Sequence, residues 1–346
     1  MAMKLFETAT CSQLPLVDEA QKSAILQAEK DAQTHRGFLQ AIDGMHLLET
    51  GGELAQGTAA ALPSSLCVMG WNMQRCLYPE QGADLLRPHN PDIILLSEMD
   101  NGMARTHQRH TTAALADCLG MRYAFAVEFF ELGLGNDLER RLAADDHNER
   151  GWHGNALLCR VEPTALALIR LDDSGLWFCP DDKLSSPSVL KQPRIGGRCA
   201  VAALLPGEDG DICVASVHLE SLDDPAIRQS QMERLIAVLD AFAPDVPTII
   251  GGDLNTSFSP FDGRERQEPI FAAAERHGYS WENNAAGTTT RSSLLTHKPR
   301  PAKKLDWFCA RGFAAKGAEI LPAVDEGGKV LSDHEIIKGQ FLRLRG

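Results

Sequence analysis

From residue 65 onward the chain reads as short apolar runs, each closed by a polar cluster, alternating with amphipathic stretches. SLCVMG (65–70), DIILLS (92–97), 121–128, GNALLCRV (154–161), CAVAALL (199–205), DICVASV (211–217), VPTIIG (246–251), KLDWFCA (304–310), 313–321 and 335–341 predict strands. The near-continuous apolar character of several of them predicts burial on both faces. Helices are predicted at 80–88, 107–119, 225–243 and 267–277. The third has Asp224 as its N-cap, Pro225 at the first helical position and an apolar stripe of Met232, Leu235, Ile236, Leu239 and Phe242. This order predicts an α/β fold of two mixed β-sheets packed face to face with helices outside.

Ahead of residue 64 the pattern differs. Residues 14–48 carry helix-like spacing (Leu14, Val17, Ile25, Ala28, Leu39, Ile42) and run into a Gly/Ala/Ser stretch, GGELAQGTAAALPSS. The expected division is an N-terminal helical extension and linker over 1–63, followed by the main α/β domain over 64–346. The extension is either packed on that domain or an arm for a partner. The charged segment 131–153 is too long for a simple connection, and is either a substrate-facing loop or a solvated one.

Charge narrows the choice of partners. With 34 Lys+Arg against 47 Asp+Glu the net charge is −13, which argues against holding nucleic acid or an anionic membrane through a global positive field, though not against a local basic groove. No secretory signal and no run long and apolar enough for a spanning helix is visible, so the expectation is a cytoplasmic chain. Its nine cysteines form no C-x-x-C pair, and several lie inside apolar runs, as expected of reduced, buried thiols. His107 and His110 alone are a weak metal signal.

The residues that carry chemistry stand at the strand ends. SLCVMG ends in Trp71-Asn72, DIILLS in Glu98, ICVASV in His218 and PTIIGG in Asp253-Leu254-Asn255, while LSDHEIIKG opens with Asp333-His334. Polar side chains delivered at strand ends are how open α/β sheets build a crevice site. Singly, such residues are usually turn or capping residues. Asp306 is different, because it lies in an apolar run where an ionised carboxylate needs a partner, and His334 is the natural one. Two carboxylates and an Asn make an oxygen-rich set suited to Mg²⁺ or Mn²⁺, and Asp253, Asn255 and two histidines could position water and substrate oxygens. Such a set fits metal-assisted hydrolysis of a phosphate ester.

Seven motifs, GWN (70–72), LSEM (96–99), GNALLCR (154–160), SVHLES (216–221), GGDLNT (251–256), KLDWF (304–308) and SDH (332–334), resemble those of the endonuclease/exonuclease/phosphatase superfamily and occur in its order. The resemblance spans 65–341 and implies a four-layer α/β sandwich. It further implies Asn72, Glu98 and Asp333 around the metal, with Glu98 the firmest ligand. By the same resemblance Asp253 orients or deprotonates the attacking water, Asn255 holds a phosphate oxygen, Asp306 orients His334, and His218 contacts the phosphate or assists the leaving group. Arg198 matches an arginine that some relatives place near the phosphate. Arg105 and Arg109, close in sequence to Glu98, are further candidates for phosphate contacts. Some relatives support the histidine equivalent to His218 with a carboxylate from an earlier strand; no motif locates it here, and Glu128 is the candidate.

The expected activity is that of a divalent-metal-dependent phosphoesterase, most readily a phosphodiesterase of nucleic acid or of a small or lipid-like diester. The alternative is a catalytically silent member used as a binding or scaffold module. A serine hydrolase is disfavoured because no G-x-S-x-G is present, and nucleotide-driven or redox chemistry because Walker-type and dinucleotide loops are absent.

Overall fold

A computed structural model describes residues 5–179, 193–256, 266–296, 299 and 301–344. Residues 1–4 of the expected extension lie outside the described residues. In chain order the strands are β1 (Thr10–Cys11), β2 (Leu48–Gly51), β3 (Ser65–Arg75), β4 (Ile93–Asn101), β5 (Arg122–Glu131), β6 (Trp152–Cys159), β7 (Ala165–Arg170), β8 (Arg194–Gly196), β9 (Cys199–Leu205), β10 (Ile212–His218), β11 (Thr248–Asp253), β12 (Asp306–Arg311), β13 (Phe313–Leu321) and β14 (Ile336–Arg343). The α-helices are α1 (Glu19–Gln27), α2 (Ala32–Ala41), α3 (Pro79–Leu86), α4 (Thr111–Leu119), α5 (Asp137–Leu142), α6 (Pro225–Phe242) and α7 (Pro269–Arg276).

Among the described residues the strands form two mixed sheets. The larger runs β1-β2-β5-β6-β4-β3-β14-β13, with β8 added on β5, and the smaller runs β12-β11-β10-β9-β7. Period-two alternation explains how they stack. Leu66 and Val68 of β3, Ile93 and Leu95 of β4, and Val201, Val214, Ile249 and Phe308 of the smaller sheet share one buried cluster between the sheets. The alternate residues Met69, Trp71, Ile94 and Leu96 pack outward against α3 and α4, through Ala83, Leu86 and Leu115. Cys213, Ala215 and Val217 pack outward against Met232, Leu235 and Leu239 of α6 and Ile270 and Phe271 of α7. Helices, sheet, sheet and helices therefore form the four layers of an α/β sandwich.

Several local expectations are met and others shift. Asp224 caps α6 by accepting from the Ala226 N–H at 2.9 Å, with Pro225 opening the helix. The helix expected at 107–119 starts at Thr111 because His107 and Gln108 take left-handed backbone (φ +55° and +59°) and His110 becomes the cap. Strand β7, ALALIR, has no place in the sequence pattern, since alternating Ala and Leu fit a helix equally well. Its pairing with β9 decides the matter.

Within residues 5–51, Thr10–Cys11 and Leu48–Gly51 join the larger sheet, while Glu7 bridges to Leu168 of β7 in the smaller one. Strand β1 pairs with β2, which pairs with β5, and Leu14, Val17, Ile25, Leu39 and Met45 join the outer core. The Nε2 of His35 lies 2.9 Å from the Gly196 carbonyl, tying α2 to β8. All nine cysteines are free, and six are buried. No helix among the described residues is long and apolar enough to cross a membrane.

Candidate active site

Two of the parallel strand pairs, β3/β4 and β10/β11, end at the same rim of the sandwich. Cross-strand register then lines up the chemistry: His218 is the register partner of Asp253, and Asp253 of Asp306 on antiparallel β12. Asp333 and His334 precede β14 and enter the rim from the other sheet. Two glycines make the approach of Asp253 possible. A Cβ on Gly252 (φ +144°) would stand 2.0 Å from the Val217 carbonyl oxygen, and one on Gly251 would stand 2.4 Å from the Phe308 ring.

Backbone irregularities aim the remaining side chains. The strand register shifts between Asn72 and Arg75, between Leu96 and Met99, and between Val127 and Phe129, so β3, β4 and β5 each carry a bulge beside a site residue. Glu98 (φ +56°) and Asn255 (φ +51°) sit in left-handed backbone, as do the successive residues Gln74, Arg75 and Cys76. Non-glycine residues hold this conformation at a cost, and such strain gathers at functional sites.

At the centre lies Oδ2 of Asp253. It is 3.0 Å from Nδ2 of Asn72, 3.6 Å from Nε2 of His218 and 3.7 Å from Nε2 of His334. Its Oδ1 accepts from the Asn255 backbone N–H at 2.9 Å, while the Asn255 amide donates to the Leu219 carbonyl at 3.0 Å. Asn72 also donates to Oε1 of Glu98 at 3.1 Å, and its own oxygen accepts from the Gln74 N–H at 3.0 Å. Asn72 thus bridges Glu98 and Asp253.

Each histidine is backed by a carboxylate. Nδ1 of His334 is 2.8 Å from Oδ2 of Asp306, and the pair is almost fully buried. Burial disfavours an imidazolium there, but the carboxylates of Asp306 and then Asp253 outweigh it and hold the ring protonated up to about 10. Nδ1 of His218 is 3.2 Å from Oε2 of Glu128. Burial would raise the Glu128 carboxyl, yet His218 and Arg198 pull it down to about 2. Arg198 lies beside this pair, with Nη1 2.5 Å from Glu128 and 3.0 Å from both ring nitrogens of His218. It also reaches Glu220 and Ser221, so two carboxylates balance its charge.

The other two arginines stand elsewhere. Arg105, expected as a phosphate contact, is sealed in a buried cage of Asp100 (2.8 Å), Glu131 (2.8 Å) and Glu139 (3.1 Å), which occupies its guanidinium. Arg109 pairs with Glu80 on the surface and touches none of the site residues. Arg75, which no motif singles out, meets Glu98 directly and holds Glu139 through Nε at 2.8 Å. Glu220 was legible only as the polar residue after His218 in SVHLES.

Two clefts flank the centre and share Pro301. One, of about 560 Å³, is lined by Gln74, Arg75, Glu98, Glu139 and Asp333 together with Asn136, Leu295, Thr296 and Pro299. The other, of about 330 Å³, is lined by Asn255 with Ser221, Asp223, Thr290, Lys303 and Leu305. Segment 131–153 contributes Asn136 and Glu139 to the larger cleft.

Two donor sets could hold a cation. Asp253, Asp306 and His334 offer ligand atoms within 4.8 Å of one another. In this set Nδ1 of His334 is already committed to Asp306. Glu98 and Asp333, beside Asn72, offer oxygen only. Glu98 already faces a cationic guanidinium and is held well below the usual carboxylate range despite burial, mainly by Arg75. That chemistry fits a hard divalent ion.

Solved structures share the fold. An endonuclease/exonuclease/phosphatase from Beutenbergia cavernae superposes with a TM-score of 0.55 at 19% identity, over 82% of this chain and 72% of that one. The human Nocturnin catalytic domain, bound to sulfate, gives 0.51 at 19% identity over 85% and 97%. A mannosyl-6-phosphatase from Bacteroides thetaiotaomicron gives 0.50 at 15% identity over 80% and 99%. No curated protein matches the sequence. Residues 69–334 match the sequence profile of the Endonuclease/Exonuclease/phosphatase family, whose members are hydrolases of phosphoester bonds, generally dependent on a divalent metal. The chain belongs to the endonuclease/exonuclease/phosphatase family.

Proposed function

We propose that this chain is a divalent-metal-dependent phosphodiesterase whose attacking water is oriented by Asp253. The convergence of Asn72, His218 and His334 on one carboxylate oxygen of Asp253 carries the reading. Glu98 and Asp333 would hold Mg²⁺ or Mn²⁺, with Asn72 fixing the Glu98 carboxylate. When bound, the cation supplies charge stabilisation for the departing oxygen.

The remaining steps belong to the chain's own side chains. Asp253, held at Oδ1 by Asn255, accepts a proton or hydrogen bond from the water in line with phosphorus. His334, kept as an imidazolium by Asp306, donates from Nε2 to a phosphate oxygen, and His218, oriented by Glu128, does so from the other side. Asn255 lines the smaller cleft, where its amide would meet a phosphate oxygen.

Clefts on both sides of the centre suit a diester, which carries a substituent on each side of phosphorus. The −13 charge, and the pairing of Arg75, Arg105 and Arg198 with carboxylates, favour a small or lipid-like diester over a polymer. The test is hydrolysis of bis(p-nitrophenyl) phosphate beside p-nitrophenyl phosphate with EDTA, Mg²⁺ or Mn²⁺. Metal-dependent diester turnover is expected, and a preference for the monoester would overturn the diester assignment. Binding of DNA that weakens steeply with salt would favour nucleic acid instead.

A further inference from the structure

Arg75 stands where a cation ligand and a substrate cleft meet. It follows Asn72 by three residues, at the end of β3, in the middle of three successive left-handed residues (φ +44°, +77° and +52° at Gln74, Arg75 and Cys76). That bend is fixed from both sides. The Gln74 N–H donates to Asn72 Oδ1 at 3.0 Å, the Cys76 N–H donates to the Met73 carbonyl at 2.8 Å, and Ser293 donates to the Gln74 side chain at 2.5 Å. A backbone held in so unfavourable a conformation points to a requirement on where Arg75 projects.

The guanidinium is divided between two carboxylates. Nε is anchored on Glu139 at 2.8 Å, and Glu139 is itself fixed by Arg105 at 3.1 Å and by the capping box that opens α5. Nη1 rests on Glu98. No hydrogen bond of Nη2 is found among the described residues. The arginine is partly open to the larger cleft, at 15% side-chain exposure, and lines it together with Glu98 and Asp333. One end of the fork is therefore pinned, while the other can exchange partners.

We propose that Arg75 couples cation and substrate binding: without substrate its guanidinium neutralises Glu98, and a phosphate group entering the larger cleft draws it off and frees the carboxylate for the divalent ion. The inference rests on the reading of Glu98 as a cation ligand. Two positive groups contest one carboxylate, so each weakens the other's hold. A phosphate oxygen pair offers the Nη edge an equally charged acceptor of matching shape, while the Nε contact with Glu139 stays in place as a pivot. Cation and phosphate then assist each other's binding, reciprocally.

Calorimetric titration of the whole chain with Mg²⁺, with and without inorganic phosphate, tests this in wild type, Arg75→Met and Glu98→Gln. In wild type phosphate should tighten Mg²⁺ binding by about 5-fold to 10-fold, and in Arg75→Met the cation should bind tighter by a similar factor with no phosphate present. Phosphate should then add about 2-fold or less in that variant. Arg75→Gln, neutral but still able to hydrogen-bond, should give the same pattern, and it replaces Arg75→Met if that variant fails to fold. Unchanged or weaker Mg²⁺ affinity in the Arg75 variants, or an equal gain from phosphate in wild type and variant, would overturn the coupling. Mg²⁺ binding that survives Glu98→Gln would instead remove the cation assignment and the coupling with it.

Discussion

Glu128 backs His218 across the two sheets: its Oε2, on β5 of the larger sheet, lies 3.2 Å from Nδ1 of the histidine, at the end of β10 in the smaller one. The site thus holds two buried carboxylate–imidazole pairs, Glu128–His218 and Asp306–His334, whose Nε2 atoms both face Asp253. Each carboxylate orients its ring and favours positive charge on it. Glu128→Gln should therefore lower kcat on a diester by about 10-fold to 100-fold with KM little changed. A rise in KM at constant kcat would show that His218 serves binding alone.

Acid should unfold the chain through the same carboxylates. Glu128 and Glu139 are each held at about 2 against an ordinary value of 4.5, because neighbouring cations outweigh burial. A depressed folded value means that the stabilisation is complete above 4.5 and is lost as pH falls toward 2, with Glu128 worth on the order of 3 kcal/mol. Thermal melting at a series of pH values should show a falling Tm across that window, shallower in Glu128→Gln. A flat Tm between pH 5 and pH 3 (about the upper half of the window) would contradict the assignment.

Arg105 and Arg109 should separate cleanly. Arg105→Met leaves Asp100, Glu131 and Glu139 buried without their shared cation, so a loss of about 3–5 kcal/mol is expected. Arg109→Ala removes only a surface pair with Glu80 and should change stability by about 0.5 kcal/mol or less, with KM unaltered. Denaturant melts and Michaelis constants decide. A raised KM in either variant without loss of stability would restore the phosphate-binding expectation.

The sequence carried the layers and the strand-end residues because both arise from local pattern. Apolar runs such as DIILLS bury two faces, and polar residues fall at their ends. What it did not carry depends on partners distant in the chain. Arg105 looked available because Glu98 is close in sequence, but Glu131 and Glu139 close over it from segment 131–153. Glu128 was only a candidate, since a bulge in β5 turns it toward His218 and bulges leave no clear periodic signature. Arg75 was invisible for a similar reason, its position being set by a left-handed bend at non-glycine residues. Strand β7 needed its neighbour β9 to be distinguished from a helix. Strands β1 and β2 left no signal because they are two and four residues long, too short to register as pattern.

The most direct test of the account is turnover of bis(p-nitrophenyl) phosphate by Asp253→Asn beside wild type, at saturating Mg²⁺ or Mn²⁺, with Tm measured on both. The substitution keeps the shape of the central residue and its bond from the Asn255 N–H, but removes the charge that faces Asn72, His218 and His334. The account predicts a loss of at least about 100-fold in kcat with Tm nearly unchanged. Diester turnover at the wild-type rate in the folded variant would contradict it.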